Sequence, residues 1–287
     1  MTTPSYTFGV SQFTTNPWTF EEDVEDYARL GVDTIEVCED KLDEEKFAEQ
    51  LALVGDRGLE ISSAQPSVRT LFPSRTQPEP EDVHERTARF RRAIERLGAL
   101  ARGIPFVCNT GPPPDGNIRE VFDVAAREYR ELADFARDRG ALVALEPLNP
   151  TLMNVESAIW TVEQAMRIVE AVGRDEFGVC VDFWNVWQNP DVAKQIRACG
   201  DRIFVVHVSD GRPPRSFEDR HVVGQGEIPL PELLRGTHEG GYRGAYTLEI
   251  FSNDVPDPLW EADLSEVVRE SHSGFDEAWR EAFGPGR

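Results

Sequence analysis

The strongest constraint on the fold is a regular alternation of short apolar runs with amphipathic stretches along the chain. Each of the eight runs is nearly continuously apolar, which is typical of parallel strands that are buried on both faces. The runs span residues 6–10, 34–38, 59–64, 104–109, 142–146, 177–182, 203–208 and 245–250. Strict alternation of strand and helix predicts one closed parallel sheet surrounded by helices, the α/β architecture of a (β/α)8 barrel.

The segments between the runs carry apolar residues at spacings of three and four, which predicts helices that form the outer ring. The clearest of these helices span residues 20–30, 81–100, 118–139 and 157–172. The length of 287 residues is close to the roughly 250 residues of a single barrel, so we expect one TIM-barrel domain over residues 1–287. A doubly wound open sheet is the rival fold. It more often has a Gly-rich phosphate loop after its first strand, and GVSQFTTNPW contains none.

The acidic charge of the chain limits its partners. The formal net charge is −22, whereas nucleic acid and anionic membrane surfaces are bound by basic proteins. No apolar run approaches the ~18 residues that span a bilayer, and the polar start MTTPSYTFGV lacks a signal-peptide core. The four cysteines show no C-x-x-C spacing, as in proteins of reducing compartments. We therefore expect a cytoplasmic protein with no nucleic-acid or membrane partner.

Four predicted strands in the second half of the chain each end in a residue that can bind a metal ion: Glu146, Asp182, His207 and Glu249. The carboxyl ends of parallel barrel strands meet at one face, so these side chains are expected to converge there. Taken singly, a carboxylate at a strand end often only caps the next helix. Taken together, two Glu, one Asp and one His form a mostly hard oxygen set. This set favours one Mn²⁺ or Mg²⁺ ion, with Co²⁺ and Zn²⁺ as alternatives.

Several motifs carry a family resemblance. They are GVDTIEV, ALEPLNP, VDFWN, VHVSDGR, RHVVGQGEI and TLEIF. Together they resemble the xylose-isomerase-like TIM barrel superfamily of sugar phosphate isomerases and epimerases, which also contains ketose 3-epimerases, inosose isomerases and dehydratases. The resemblance implies that Glu146, Asp182, His207 and Glu249 hold one divalent metal ion.

The chain departs from this family pattern at two positions. Relatives usually have D-x-x-H after strand six, where this chain has Asn185 three residues after Asp182. Ketose 3-epimerases commonly have a second glutamate six residues after the glutamate of the E-P-L-N motif, where this chain has Leu152. Both departures weaken assignment to the ketose 3-epimerase subgroup. The related apurinic endonucleases need a histidine-rich cluster of three zinc ions, and this chain has only five histidines in all.

The chemistry expected of such a site is proton transfer. A divalent ion that bridges a carbonyl and the neighbouring hydroxyl of a sugar acidifies the C–H bond between them and stabilises the enediolate. Glu146 and Glu249 are the candidate catalytic acid and base, which predicts isomerisation or epimerisation of a sugar or keto-sugar. If a leaving group lies next to the carbanion, the same first step makes the enzyme a lyase or dehydratase on a keto-sugar, inosose or 3-keto-glycoside. A non-catalytic barrel that serves as a scaffold is the third alternative.

Five further residues are expected near a small-molecule sugar substrate: Arg212, His221, Asn185, Glu36 and Trp184. Three of them have a plainer alternative. Arg212 would serve a surface salt bridge, His221 would brace its loop, and Trp184 would pack in the core. Lys41 is expected with Glu36 at the rim of the pocket. The predicted final helix at 261–283 is a candidate interface for a homo-oligomer.

Overall fold

A computed structural model describes residues 4–99 and 101–284 of the chain. Its centre is a closed barrel of eight parallel strands in sequence order, in which the first strand pairs with the last. The strands are β1 (Thr7–Ser11), β2 (Thr34–Cys38), β3 (Glu60–Gln65), β4 (Pro105–Cys108), β5 (Leu142–Leu145), β6 (Phe177–Asp182), β7 (Ile203–Val208) and β8 (Ala245–Leu248). The predicted TIM barrel is therefore confirmed, and the open-sheet alternative is wrong.

The strands are buried on both faces because side chains alternate between the barrel interior and the surrounding helices. Large outward side chains such as Phe106 and Phe177 pack in the main core with the helices. A separate cluster of smaller buried residues, one from each of β4 to β7, contains Val107, Ala144, Cys180 and Val205. Residues two apart on a strand share a face, so Cys180 and Asp182 both point into the barrel.

The helices form the outer layer, and each strand is followed by at least one of them. They are α1 (Phe20–Leu30), α2 (Phe47–Asp56), α3 (Val83–Gly98), α4 (Ile118–Arg137), α5 (Val162–Val172), α6 (Phe183–Val186), α7 (Val192–Cys199), α8 (Leu230–Glu239) and α9 (Leu264–Phe283). The helix α1 has the bounds that the sequence predicts. A capping box between Thr19 and Glu22 begins it, and Gly31 in a left-handed conformation ends it.

The largest error in the predicted helices concerns α5, which begins at Val162 instead of residue 157. Thr161 and Gln164 form a capping box that fixes this start. Ser157 instead forms β-bridges with Gly111 and Met153 at the carboxyl-terminal face of the barrel. The predicted helices at 81–100 and 118–139 are α3 and α4, which are shorter by a few residues. The predicted end at residue 100 lies outside the described residues.

The final helix α9 packs against the outside of the barrel. Its apolar face carries Phe275 and Trp279, whose rings contact those of Tyr6 and Tyr246 on the barrel wall. This apolar face is therefore covered within the chain, and the suggested homo-oligomer interface at this helix stays a prediction. Among the described residues, no helix combines the length and the apolar character needed to cross a membrane.

Candidate active site

The carboxyl-terminal face of the barrel brings together the four predicted metal ligands. One ligand atom each from Glu146, Asp182, His207 and Glu249 lies within 4.8 Å of all the others, and the four residues are buried. Asp182 and His207 are register partners across β6 and β7. Glu146 and Glu249 are the first residues after β5 and β8. The convergence follows from the parallel barrel, because all four residues lie at the same end of their strands.

Glu36, at the centre of β2, fixes the orientation of the His207 ring. The His207 Nε2 atom lies 2.9 Å from Glu36 Oε2, and the Ser63 hydroxyl donates to the same carboxylate oxygen at 2.7 Å. The other ring nitrogen, Nδ1, therefore faces Glu249 Oε2 at 3.3 Å and Glu146 Oε1 at 3.8 Å. A carboxylate behind an imidazole sets which nitrogen is free for a metal. Glu36 is fully buried and does not line the cavity, so the expected substrate contact is replaced by a contact with His207.

Asn185 lies beneath the ligand set and does not line the cavity. Its side-chain amide donates to Glu146 Oε1 at 2.9 Å and to Asp182 Oδ2 at 3.1 Å. Its carbonyl oxygen accepts from the backbone N–H of Asn149 at 2.9 Å. The amide that replaces the histidine of the family pattern therefore bridges two ligand carboxylates and is fully occupied, so the expected substrate contact is not supported. Asn109 adds a hydrogen bond to Glu146 Oε2 at 3.1 Å.

Arg220 is the main residue that the sequence analysis missed. Its guanidinium donates to Asp182 Oδ2 and to Glu249 Oε2, each at 2.8 Å, and the side chain is 5% exposed. The guanidinium also lies over the rings of Trp184 and Phe251, at 5.1 and 4.9 Å from their centroids. Arg220 lines the cavity, and its Nε has no hydrogen-bond partner among the described residues. The available signal was its place directly before His221 in the long loop after β7.

The other expected substrate residues lie away from the cavity. Arg212 is exposed and donates to the backbone carbonyl of Gln225 at 3.0 Å, which corrects the expectation that it contacts substrate. Trp184 is buried beneath Arg220 and packs in the core, which is the plainer role considered above. Neither residue lines the cavity. The loop after β7 turns Arg220 towards the cavity and leaves Arg212 at the surface.

His221 and Lys41 are also placed outside the cavity. The backbone of His221 pairs with that of Asp210 in both directions, so the residue braces the loop after β7. The Lys41 ammonium donates to Asp23 at 2.7 Å and to the backbone carbonyl of Thr15 at 2.8 Å. Lys41 is therefore held in a largely buried ion pair between the segment after β2 and helix α1.

A cavity of about 260 Å³ opens above the ligand set. Glu146 and Glu249 line it, whereas Asp182 and His207 do not. Its apolar wall consists of Phe13, Leu148, Leu152, Phe217, Phe251 and Trp260. The loops after β3, β5 and β7 contribute to the lining. The cavity can therefore hold a small ligand in contact with the two carboxylates, with apolar side chains and with charged residues such as Arg69, Arg75 and Glu156.

Burial and neighbouring charges give the two glutamates opposite pKa shifts. Burial raises the pKa of Glu249 to about 8, because the charges of His207 and Arg220 offset only part of the burial effect. Burial also acts on Glu146, but the hydrogen bond and charge of His207, together with Arg220, outweigh it and hold this pKa below its ordinary value. Burial raises the pKa of Asp182, which Arg220 partly opposes. Three carboxylates and an imidazole in one buried cluster are a donor set that suits a hard divalent cation.

Comparison with known proteins identifies the family. The model of the xylose isomerase-like TIM barrel family matches residues 24–271. An inosose isomerase of Bacillus velezensis is 29% identical over 243 residues, which cover 80% of this chain and 83% of that protein. An L-ribulose 3-epimerase of Methylomonas sp. is 26% identical over 189 residues, which cover 64% of this chain and 62% of that protein, less than two thirds of its length.

A solved structure shares the fold at lower sequence identity. A crystal structure of IOLI protein with a binding zinc atom has a TM-score of 0.80 at 22% identity, covering 97% of this chain and 100% of that one. The family resemblance read from the sequence is therefore confirmed. The curated relatives named above are an isomerase and an epimerase. The chain belongs to the xylose isomerase-like TIM barrel family.

Proposed function

We propose that the protein is a divalent-metal-dependent isomerase or epimerase that acts on a sugar or keto-sugar. The observation that carries the proposal is that only two of the four ligand residues line the cavity. Glu146 and Glu249 line the cavity as well as facing the other ligands, whereas Asp182 and His207 do not line it. Two carboxylates with access to a bound substrate supply the acid and base that proton transfer needs. The isomerase and epimerase among the relatives support the same class of reaction.

The metal would be held by Glu146, Asp182, His207 through Nδ1, and Glu249. When bound, a divalent ion supplies positive charge that acidifies a C–H bond next to a carbonyl. The oxygen-rich set favours Mn²⁺, and the zinc in the related solved structure supports a divalent ion in this fold. Asn109, Asn185 and Glu36 keep the ligand side chains in place through the hydrogen bonds described above.

The proposed proton transfer uses the two glutamates in turn. They enter the cavity from the ends of β5 and β8, so they reach a bound substrate from different sides. One glutamate removes a proton from the carbon beside the carbonyl, and the other returns a proton. Return at the neighbouring carbon gives isomerisation, and return on the opposite face gives epimerisation. Arg220, which lines the cavity and pairs with Asp182 and Glu249, would place positive charge near a substrate oxygen.

A lyase acting on a keto-glycoside is the second candidate, and the apolar wall of the cavity favours it. Phe217, Phe251 and Trp260 line the cavity with Leu148 and Leu152, which gives a surface suited to an apolar substituent beyond the sugar ring. In such a substrate the same proton abstraction would be followed by loss of the substituent. Products of equal mass support the isomerase or epimerase, and loss of water or of an aglycone supports the lyase.

The proposal is tested by incubating metal-loaded protein with ketoses, inososes and 3-keto-glycosides in D₂O and following the products by NMR. We expect metal-dependent incorporation of deuterium at the carbon beside the carbonyl, with a product that is a constitutional isomer or an epimer of the substrate. Stripping the metal should abolish the incorporation. Conversion that proceeds equally well after chelation, or without exchange, would contradict the proposed chemistry.

The first prediction separates the two glutamates. Glu146→Gln and Glu249→Gln each keep an oxygen that can coordinate a metal, but an amide cannot accept a proton at neutral pH. Each variant should lose about 10² to 10⁴ in rate. One of them should still exchange the substrate's C–H with D₂O while forming little product, and the other should do neither. The exposed Glu163 of α5 provides a matched control, because Glu163→Gln should react at the parent rate. Parent-like rates in both site variants would rule out the two-glutamate mechanism.

A second prediction concerns the two arginines of the loop after β7. Arg220→Lys keeps the positive charge beside Asp182 and Glu249 but loses the paired donors of the guanidinium. We expect kcat/KM to fall by about 10- to 100-fold, as for loss of a charged hydrogen bond. Arg212→Lys should change it by no more than about twofold, because exposed charges contribute little. The opposite ranking in steady-state kinetics would restore Arg212 as the substrate contact.

A third prediction follows from the raised pKa of Glu249. A carboxyl with a pKa of about 8 carries a proton at pH 7, and this proton must leave when a metal binds. Metal binding at pH 7 should therefore release about one proton or more, and the affinity should rise as the pH increases towards 8. Calorimetric titrations in buffers of different ionisation enthalpy measure the release. Glu249→Gln should release fewer protons than the parent, and equal release in both would show that Glu249 is not the source.

A further inference from the structure

We propose that the barrel contains a second metal-binding mode, formed by Glu146, Cys180 and His207, which selects thiophilic ions such as Zn²⁺ and Cd²⁺. It shares Glu146 and His207 with the four-ligand set, so the two modes exclude one another. The inference deepens the proposed function, because it concerns which ion the same centre retains. It adds a ligand, Cys180, that the family resemblance does not supply.

The geometry of Cys180 supports coordination. Its sulfur lies 3.5 Å from His207 Nδ1, the ring nitrogen that Glu36 leaves free. A tetrahedral zinc ion with a sulfur ligand at about 2.3 Å and an imidazole ligand at about 2.0 Å separates those two atoms by about 3.5 Å. A second edge of the ligand triangle, from His207 Nδ1 to Glu146 Oε1, measures 3.8 Å. In a tetrahedral zinc site, a nitrogen and an oxygen ligand atom are roughly 3.3 Å apart. A small rotation of the Glu146 carboxylate would shorten the observed distance to this value.

The position of Cys180 places this mode deeper in the barrel than the oxygen set. Cys180 precedes Asp182 by two residues on β6, so its side chain points into the barrel one layer below. It is fully buried among the small residues Val107, Ala144 and Val205. An ion held there would be shielded from water, with only Glu146 continuing into the cavity.

Ligand chemistry separates the two modes. Mn²⁺ and Mg²⁺ prefer carboxylate oxygens and would occupy the four-ligand set, whereas thiolate sulfur favours Zn²⁺ and Cd²⁺. On binding, the sulfur–metal bond replaces the sulfur–hydrogen bond and the proton passes to solvent, so no oxidant or reductant is needed. A thiophilic ion drawn to Cys180 takes Glu146 and His207 away from Mn²⁺. Zn²⁺ or Cd²⁺ should therefore displace Mn²⁺ from this centre more strongly than it would from a centre without Cys180.

The test uses full-length protein stripped of metal and titrated with Cd²⁺, whose bond to a thiolate gives an ultraviolet charge-transfer absorption. We expect one cadmium–thiolate band per chain in the parent and its loss in Cys180→Ser. Cys199→Ser, which alters a buried cysteine on α7 away from the ligand set, should keep the band. Mn²⁺ binding followed by electron paramagnetic resonance shows that each variant is folded, and Mn²⁺ should bind the parent and Cys180→Ser with similar affinity.

Competition supplies a second readout. Zn²⁺ added to the Mn²⁺-loaded parent should release Mn²⁺, and its advantage over Mn²⁺ should fall by about tenfold or more in Cys180→Ser. A parent without the cadmium–thiolate band, or Cys180→Ser with the band intact, overturns the second mode even if Mn²⁺ binds normally. If the band depends on Cys180 but Mn²⁺ does not bind, the inference stands and the proposed manganese dependence fails.

Discussion

The site depends on the burial of three carboxylates and one imidazole within 4.8 Å of one another at the end of the barrel. Bringing like charges together away from water is costly unless each is paired or hydrogen-bonded. Arg220 supplies positive charge to Asp182 and Glu249, and the amide of Asn185 bridges Asp182 and Glu146. These contacts offset the electrostatic cost of burying the cluster and also fix the orientation of its oxygen atoms.

The four ligand residues also differ in their access to the cavity. Asp182 and His207 face inward to the other ligands, whereas Glu146 and Glu249 also face the cavity. Glu36 orients the ring of His207 from the opposite side of the barrel, so the free nitrogen points towards the two glutamates. The apolar wall covers one part of the remaining cavity, and charged side chains such as Arg69, Arg75 and Glu156 line another part. One barrel face thus combines a candidate cation site, two candidate proton carriers and a cavity beside them.

The fold and the ligand cluster could be predicted because both follow from periodicity. Buried parallel strands read as apolar runs, and ligands at the same end of consecutive strands must converge.

Loop residues carry no such signal. Arg220 and His221 are neighbours in a loop segment that forms isolated bridges with Asp210 and Ser252. Successive side chains of such an extended segment point in opposite directions, and the sequence does not say which one faces inward. The roles of Glu36 and Asn185 were also hidden, because each depends on a hydrogen bond to a residue distant in the chain. The start of α5 was misjudged because a capping box outweighs the apolar periodicity before it.

The central claim is that Glu146, Asp182, His207 and Glu249 bind one divalent ion beside the cavity. Anomalous diffraction from crystals of Mn²⁺-loaded protein, recorded on either side of the manganese absorption edge, tests it most directly. The account predicts one manganese-specific peak per chain, within bonding distance of the three carboxylates and of His207 Nδ1, with Glu36 still hydrogen-bonded to Nε2. A fully loaded crystal with no peak between these four residues, or with its only peak at another part of the surface, would contradict it.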